Sequence, residues 1–127
     1  MPFLHDDVLD NGLQVLTDDV TTIHYCSAEP DDFADAGALS LGNKSGPTVG
    51  APEPRALISA PPDGRKVVVS AVGDGVATAT GTISHWALTD TGTSRLLAAG
   101  PVGQPFSVND TDVITSGPFD IGIPAPV

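Results

Sequence analysis

Three kinds of side chain in this 127-residue sequence carry ordinary active-site chemistry: one cysteine, three histidines and sixteen carboxylates. His24 and Cys26 stand two apart in Thr21-Thr-Ile-His-Tyr-Cys26, so on a strand they share a face, with Ile23 and Tyr25 on the other. A zinc site needs four ligands, or three and a water. Only the distant His5 and His85 could join the pair, and no C-x-x-C or H-x-x-x-H spacing exists. The sequence therefore predicts no metal and no cofactor, and reads the pair as a partly buried histidine beside a small apolar cysteine. His85 next to Trp86 reads as packing. Asp6-Asp7, Asp18-Asp19 and Asp31-Asp32 are adjacent residues that point apart, a poor geometry for shared acid–base work or for calcium.

Motif spacing points the same way. There is no G-x-S-x-G and no glycine-rich loop ending in Gly-Lys-Ser/Thr. Asn43-Lys-Ser45 lies beside glycines but has no helix after it, and Asp63-Gly64 reads as a turn. Triads assemble in space rather than in sequence, so spacing alone does not decide that point. The reading is that the chain is not an enzyme.

Charge narrows the partners. Net charge is −11, and the basic residues are Lys44, Arg55, Arg65, Lys66 and Arg95. Such a field opposes nucleic acid and anionic membrane surfaces and favours solubility. No window approaches 18 apolar residues, so no membrane span is expected. Met1 to Asp10 lacks the basic and apolar regions of a signal peptide, which predicts synthesis and folding in a cytoplasm. A lone cysteine allows no internal disulfide.

The elements that would position these residues are mostly strands. Twelve prolines and fourteen glycines favour turns and extended chain over long helices. Lys66–Val72, Val76–Leu88 and Arg95–Ala99 read as three strands, with turns at Gly73-Asp-Gly75 and Asp90-Thr-Gly-Thr93. The middle strand changes character along one face, from Thr78, Thr80, Thr82 and Ser84 to Trp86 and Leu88. That predicts a bulge near Ser84 or a partly covered face. Leu96 and Leu97 point to opposite faces of the third strand. Phe106–Val108, a turn at Asn109-Asp110, Asp112–Thr115 and Phe119–Ile123 extend the set, and Pro124 suits a sheet edge.

Helix is expected near the N-terminus, after a loose leader at 1–5. Val8, Leu9, Leu13, Leu16 and Val20 fall within about 140° of one another at helical spacing, which predicts a helix over 6–20. Asp18 and Asp19 oppose its last turn, which should end near Thr17. The rival reading is a hairpin turning at Asn11-Gly12. Asp31 to Ala36 could make one further helical turn.

Between Gly42 and Gly64 lie Pro47, Pro52, Pro54, Pro61 and Pro62. That density predicts a long extended loop or arm, of a length that is uncommon inside compact domains and often functional. The predicted whole is a single mainly β domain, 1–127. It has a helix at 6–20, an extended arm or loop at 42–64 and an antiparallel sandwich or barrel-like body at 65–124. Its expected core is Val68, Ile83, Trp86, Leu88, Leu96, Phe119 and Ile121.

Several segments taken in order resemble a family of small accessory virion proteins of tailed bacteriophages. They are Val8-Leu-Asp-Asn-Gly-Leu13, Ile23-His-Tyr-Cys-Ser-Ala-Glu-Pro30, Leu41-Gly-Asn-Lys44 and Gly64-Arg-Lys-Val-Val-Val69. Thr80-Gly-Thr-Ile-Ser-His-Trp-Ala-Leu88 and Phe119-Asp-Ile-Gly-Ile-Pro124 complete the set. The resemblance implies capsid decoration, or cementing, on the virion surface. The implied partner is the phage major capsid protein, and the implied assembly is a homo-oligomer, with a trimer the first expectation. On that reading the arm lies on the partner, with Lys44, Val49, Arg55, Leu57 and Ile58 as contacts. The alternative is a tail- or fibre-associated β-domain.

Overall fold

A computed structural model describes residues 6–54 and 65–123, with side chains from residue 11 onward. The leader at 1–5, Arg55, Leu57 and Ile58 of the arm, and Pro124 lie outside the described residues. The chain is mainly β and antiparallel, with a short N-terminal helix. Its elements are α1 (Asp6–Asp19), β1 (Thr22–Cys26), α2 (Phe33–Leu39), β2 (Ser40–Ser45), β3 (Glu53–Pro54) and β4 (Arg65–Val69). They continue with β5 (Val72–Ala77), β6 (Gly81–Asp90), β7 (Arg95–Val108), β8 (Val113–Ser116) and β9 (Phe119–Ile123). The chain divides into two compact units. The larger is Val20–Pro47 with Ala71–Gly117, and the smaller is Met1–Asp19, Thr48–Ser70 and Pro118–Val127.

The smaller unit holds a three-stranded sheet in the order β3-β4-β9, with α1 against β4. Leu13 and Leu16 of α1 are buried, as are Val67 and Val69 of β4. The sequence reading puts Val68 in the core, but strand alternation turns Val68 the other way and leaves it half-buried. Phe119 and Ile121 of β9 are half-buried for a related reason: β9 is an edge strand, covered less than β4. Lys66, on the central strand β4, bonds Asp120 at 3.1 Å and approaches Glu53 at 3.7 Å, linking the three strands.

Residues 48–50 also belong here. Val49 bridges Val69, Gly50 N donates to Val68 O at 2.9 Å and Ser70 N to Thr48 O at 2.9 Å. The Thr17 hydroxyl of α1 donates to Gly50 O at 2.7 Å. This part of the expected arm, 48–50, is thus bonded to β4 and its flank.

The larger unit is a six-stranded antiparallel sheet, β7-β6-β1-β2-β5-β8, curled into a half barrel. One hydrogen bond shows why it must curl. Tyr25 on β1 reaches Ser116 on β8 at 2.8 Å, although β2 and β5 lie between. Three strand spacings would span about 14 Å in a flat sheet, beyond the reach of a tyrosine. The small residues Gly42 and Ala77 stand beside Tyr25 in the same cross-strand row and leave room inside the curve. Ile23, Tyr25, Ala77, Leu88 and Ile114 are buried.

Several boundaries differ from the sequence reading. The expected strand 76–88 is two strands broken at 78–80. There the Thr78 and Ala79 amides turn to Leu41 O, at 2.8 and 3.3 Å. Gly73-Asp-Gly75 is no hairpin turn but lies inside β5, where a register shift between Val72 and Gly75 absorbs it. The expected strands 95–99 and 106–108 are parts of one 14-residue edge strand, β7, whose position tolerates Pro101 and Pro105. Residues 42–45, expected in the arm, pair between β1 and β5. The predicted irregularity near Ser84 is present as a register shift between Ile83 and His85. The helical turn expected at 31–36 is α2, capped by Asp32, whose carboxylate accepts from Asp35 N at 2.8 Å.

Candidate functional site

Among the described residues, Cys26, His24 and His85 are engaged in the larger unit's frame. Cys26 is buried with Ala36 and Ala87, edged by Leu39, Leu96 and Ala99. Its thiol donates to Ala36 O at 3.7 Å, and burial pushes its pKa up to about 11, so it stays protonated and unreactive near neutrality. The pairing of His24 with Ala87 and of Cys26 with His85 puts all four on one face of the sheet, the face that carries α2.

Proton counting fixes how both histidines sit. A serine hydroxyl has one proton to give. Ser40 gives its proton to Gly42 O at 2.9 Å, so at 3.0 Å it accepts from Nδ1–H of His24. Ser84, at the bulge, gives its proton to Ser27 O at 2.9 Å and accepts from His85 Nδ1–H at 2.8 Å. The His24 ring thus ties β1 to the start of β2, and the His85 ring bonds its own neighbour in β6, Ser84, whose hydroxyl ties the strand to Ser27. Burial lowers the His24 pKa.

Trp86 is half-buried and stands opposite Gly100 on β7, where a Cβ would come within 2.8 Å of the ring. Its expected place deep in the core is thus a cross-strand platform over a glycine, which an edge strand makes possible. Ile83 and Leu88 are fully buried, and Leu96 is half-buried against the Cys26 cluster. The carboxylates likewise serve local structure. Asp90 clamps the β6–β7 turn, and Arg95, followed by Thr93 and backbone amides, holds its carboxyl below the usual range. Asp18 accepts from Gln14 within α1. Among the described residues, no three His, Cys, Asp or Glu gather as a metal would require.

Of the expected partner contacts, Lys44 lies in β2 and bonds Asp74 on β5 at 3.0 Å. Val49 is buried in the smaller unit. Arg55, Leu57 and Ile58 lie outside the described residues, between the paired Pro54 and Arg65.

A different surface stands out. One cross-strand row runs through the whole larger sheet: Ala99, Ala87, His24, Asn43, Val76 and Val113. Paired residues on adjacent strands point to the same side. At the β7-β6-β1 end, Ala87 and Ala99 lie in the cluster built around α2. At the β8 end the row is open, with Val76 52% and Val113 67% exposed. The sequence reading missed both. It placed Val76 on one strand with Trp86, and a single valine after Asp112 gives no signal of its own.

No family model, no curated protein and no solved structure matches this chain.

Proposed function

We propose that this protein is an accessory structural protein of a tailed-phage particle that attaches to the outside of the head and reinforces capsomer junctions. The observation that carries the reading is the fate of the reactive groups. Cys26, His24, His85 and Asp90 are tied into strands, bulge and turn, while valines stay at the surface. That is how a protein that works by contact distributes its side chains. The ordered run of segments resembling small virion proteins supplies the particle. The charge of −11 fits a protein that stays soluble before assembly and does not compete for packaged DNA.

The major capsid protein is the proposed partner, and a trimer at a local three-fold position is the proposed assembly. Attachment on a tail or fibre is the second reading, favoured by the same likeness to virion accessory proteins. Quantitative mass spectrometry of heads separated from tails tests both. Copy numbers matching the capsomers, found with heads, support decoration. A few copies, found with tails, support the alternative, and absence from both refutes the proposal.

Of the proposed arm, 42–45 and 53–54 are bonded into sheets and Val49 bridges Val69, so the test is made between Pro54 and Arg65. Replacing 56–63 by a two-residue Asn-Gly turn should keep the β3–β4 pair and weaken attachment. Unchanged saturation of bare heads would remove the arm from the proposal.

A further inference from the structure

We infer that the open half of the larger sheet, centred on Val76 and Val113, docks against a protein surface that has an apolar centre and a lysine- or arginine-bearing rim. This deepens the attachment function proposed above and rests on it.

The two valines are direct cross-strand partners, so their side chains form one patch rather than two isolated exposures. Nothing in the strand pattern requires apolar residues there. The next residue on each strand, Ala77 and Ile114, already supplies the buried face. The patch also lies at the end of the sheet order, where β8, among the described strands, pairs with β5 alone. An incoming surface therefore meets this pair of side chains on the face of the sheet.

Charge selects the occupant. Asp112 directly precedes Val113, Asp74 lies two residues before Val76, and Asp110 sits in the adjoining turn. Asp74 is paired with Lys44, while Asp110 is exposed and Asp112, whose carboxylate accepts from Asn109 N at 2.8 Å in the turn, keeps its negative charge, so the end of the strand pair is acidic. A second copy of this chain would bring acidic rims together under a charge of −11 on each molecule. Two valines also fall far short of the roughly 800 Å² per partner of a standard stable interface. A basic-rimmed partner removes the repulsion, and a repeated partner surface compensates for weak single contacts when copies are linked.

The test is co-sedimentation of the full chain with purified heads, and separately with tails, prepared without it. Val113→Asp should weaken binding about tenfold or more, the scale of losing one buried apolar side chain and gaining repulsion. Gln104→Asp, with the same added charge on exposed β7, should bind as wild type does. The isosteric pair Val76→Thr with Val113→Thr keeps strand propensity and should also weaken binding, which covers a folding defect in the aspartate variant. Wild-type affinity should fall as salt rises. If wild type binds and both patch variants bind equally well, the docking surface is refuted while attachment stands. If wild type binds neither heads nor tails, both fall.

Discussion

Gly42→Ala tests the curl of the larger sheet most directly. An alanine Cβ at this position would meet Ile114 Cδ1, the Val76 carbonyl oxygen at 2.7 Å and Ala77 Cα at 3.0 Å. Two of these three are backbone atoms of β5, the strand paired with β2, so no rotamer change relieves them. β2 and β5 share only the pairs Gly42 with Ala77 and Asn43 with Val76, so a shift of β5 disturbs their whole register. Overpacking of this kind costs about 1–3 kcal/mol, and rigid backbone neighbours place it at the upper end. Losing glycine's unfolded-state freedom returns about 0.4–1 kcal/mol. The expected net loss is about 2 kcal/mol, a fall of roughly 5–10 °C in thermal midpoint for a chain of this size. Urea and thermal unfolding measure it. Ile114→Val deletes Cδ1 alone, so the double variant should recover part of the loss and leave the part due to Val76 O. A Gly42→Ala protein as stable as wild type would refute the close approach of β2, β5 and β8.

Gly12 is the opposite case. Among the described residues, a Cβ at this position inside α1 meets Ile123 Cδ1 at 3.7 Å, an ordinary contact. Gly12→Ala should therefore stabilise the protein by up to about 1 kcal/mol in urea unfolding, and a loss would contradict that spacing. Gly100→Ala should turn the Trp86 ring, since the new Cβ falls 2.8 Å from Cζ2. With a single tryptophan in the chain, an unchanged emission spectrum would argue against the platform. His24 is neutral by preference in the fold because burial lowers its pKa. The unfolded chain then binds more protons, so His24's contribution is full above about pH 6.5 and is lost as pH falls below it. His24→Gln should flatten that part of the stability–pH curve, and an unchanged slope would assign it elsewhere.

How much of this was legible depended on the range of the interaction. The N-terminal helix, β1, β9 and the turn at Asp90–Thr93 follow from local periodicity and turn chemistry, and they lie close to where the sequence puts them. The irregularity at Ser84 was legible because the polar and apolar halves of one face conflict over a few residues. Gly73-Asp-Gly75 misled because a glycine-rich signal reports backbone freedom, which a bulge uses as readily as a hairpin. β2 was lost to the arm because Gly42-Asn-Lys-Ser45 is polar and glycine-rich. It is a strand only because β1 and β5 flank it, and Gly42 is required there by Ile114, over 70 residues away.

The candidate surface was illegible for a related reason. Alternation says that neighbouring residues face opposite ways, and a reader assigns the larger apolar one to the interior. At Val76-Ala77 the curl reverses that choice. The inside of a tightly curved sheet has room for the smaller side chain, because Tyr25 and Ile114 already fill it. The valine is left outside, next to the valine that β8 turns outward in the same register. A flatter sheet built from the same strands would bury Val76 and Val113 as readily as Ala77 and Ile114. The exposed pair is therefore a consequence of curvature, and Gly42→Ala, by opening the curve, should alter attachment as well as stability.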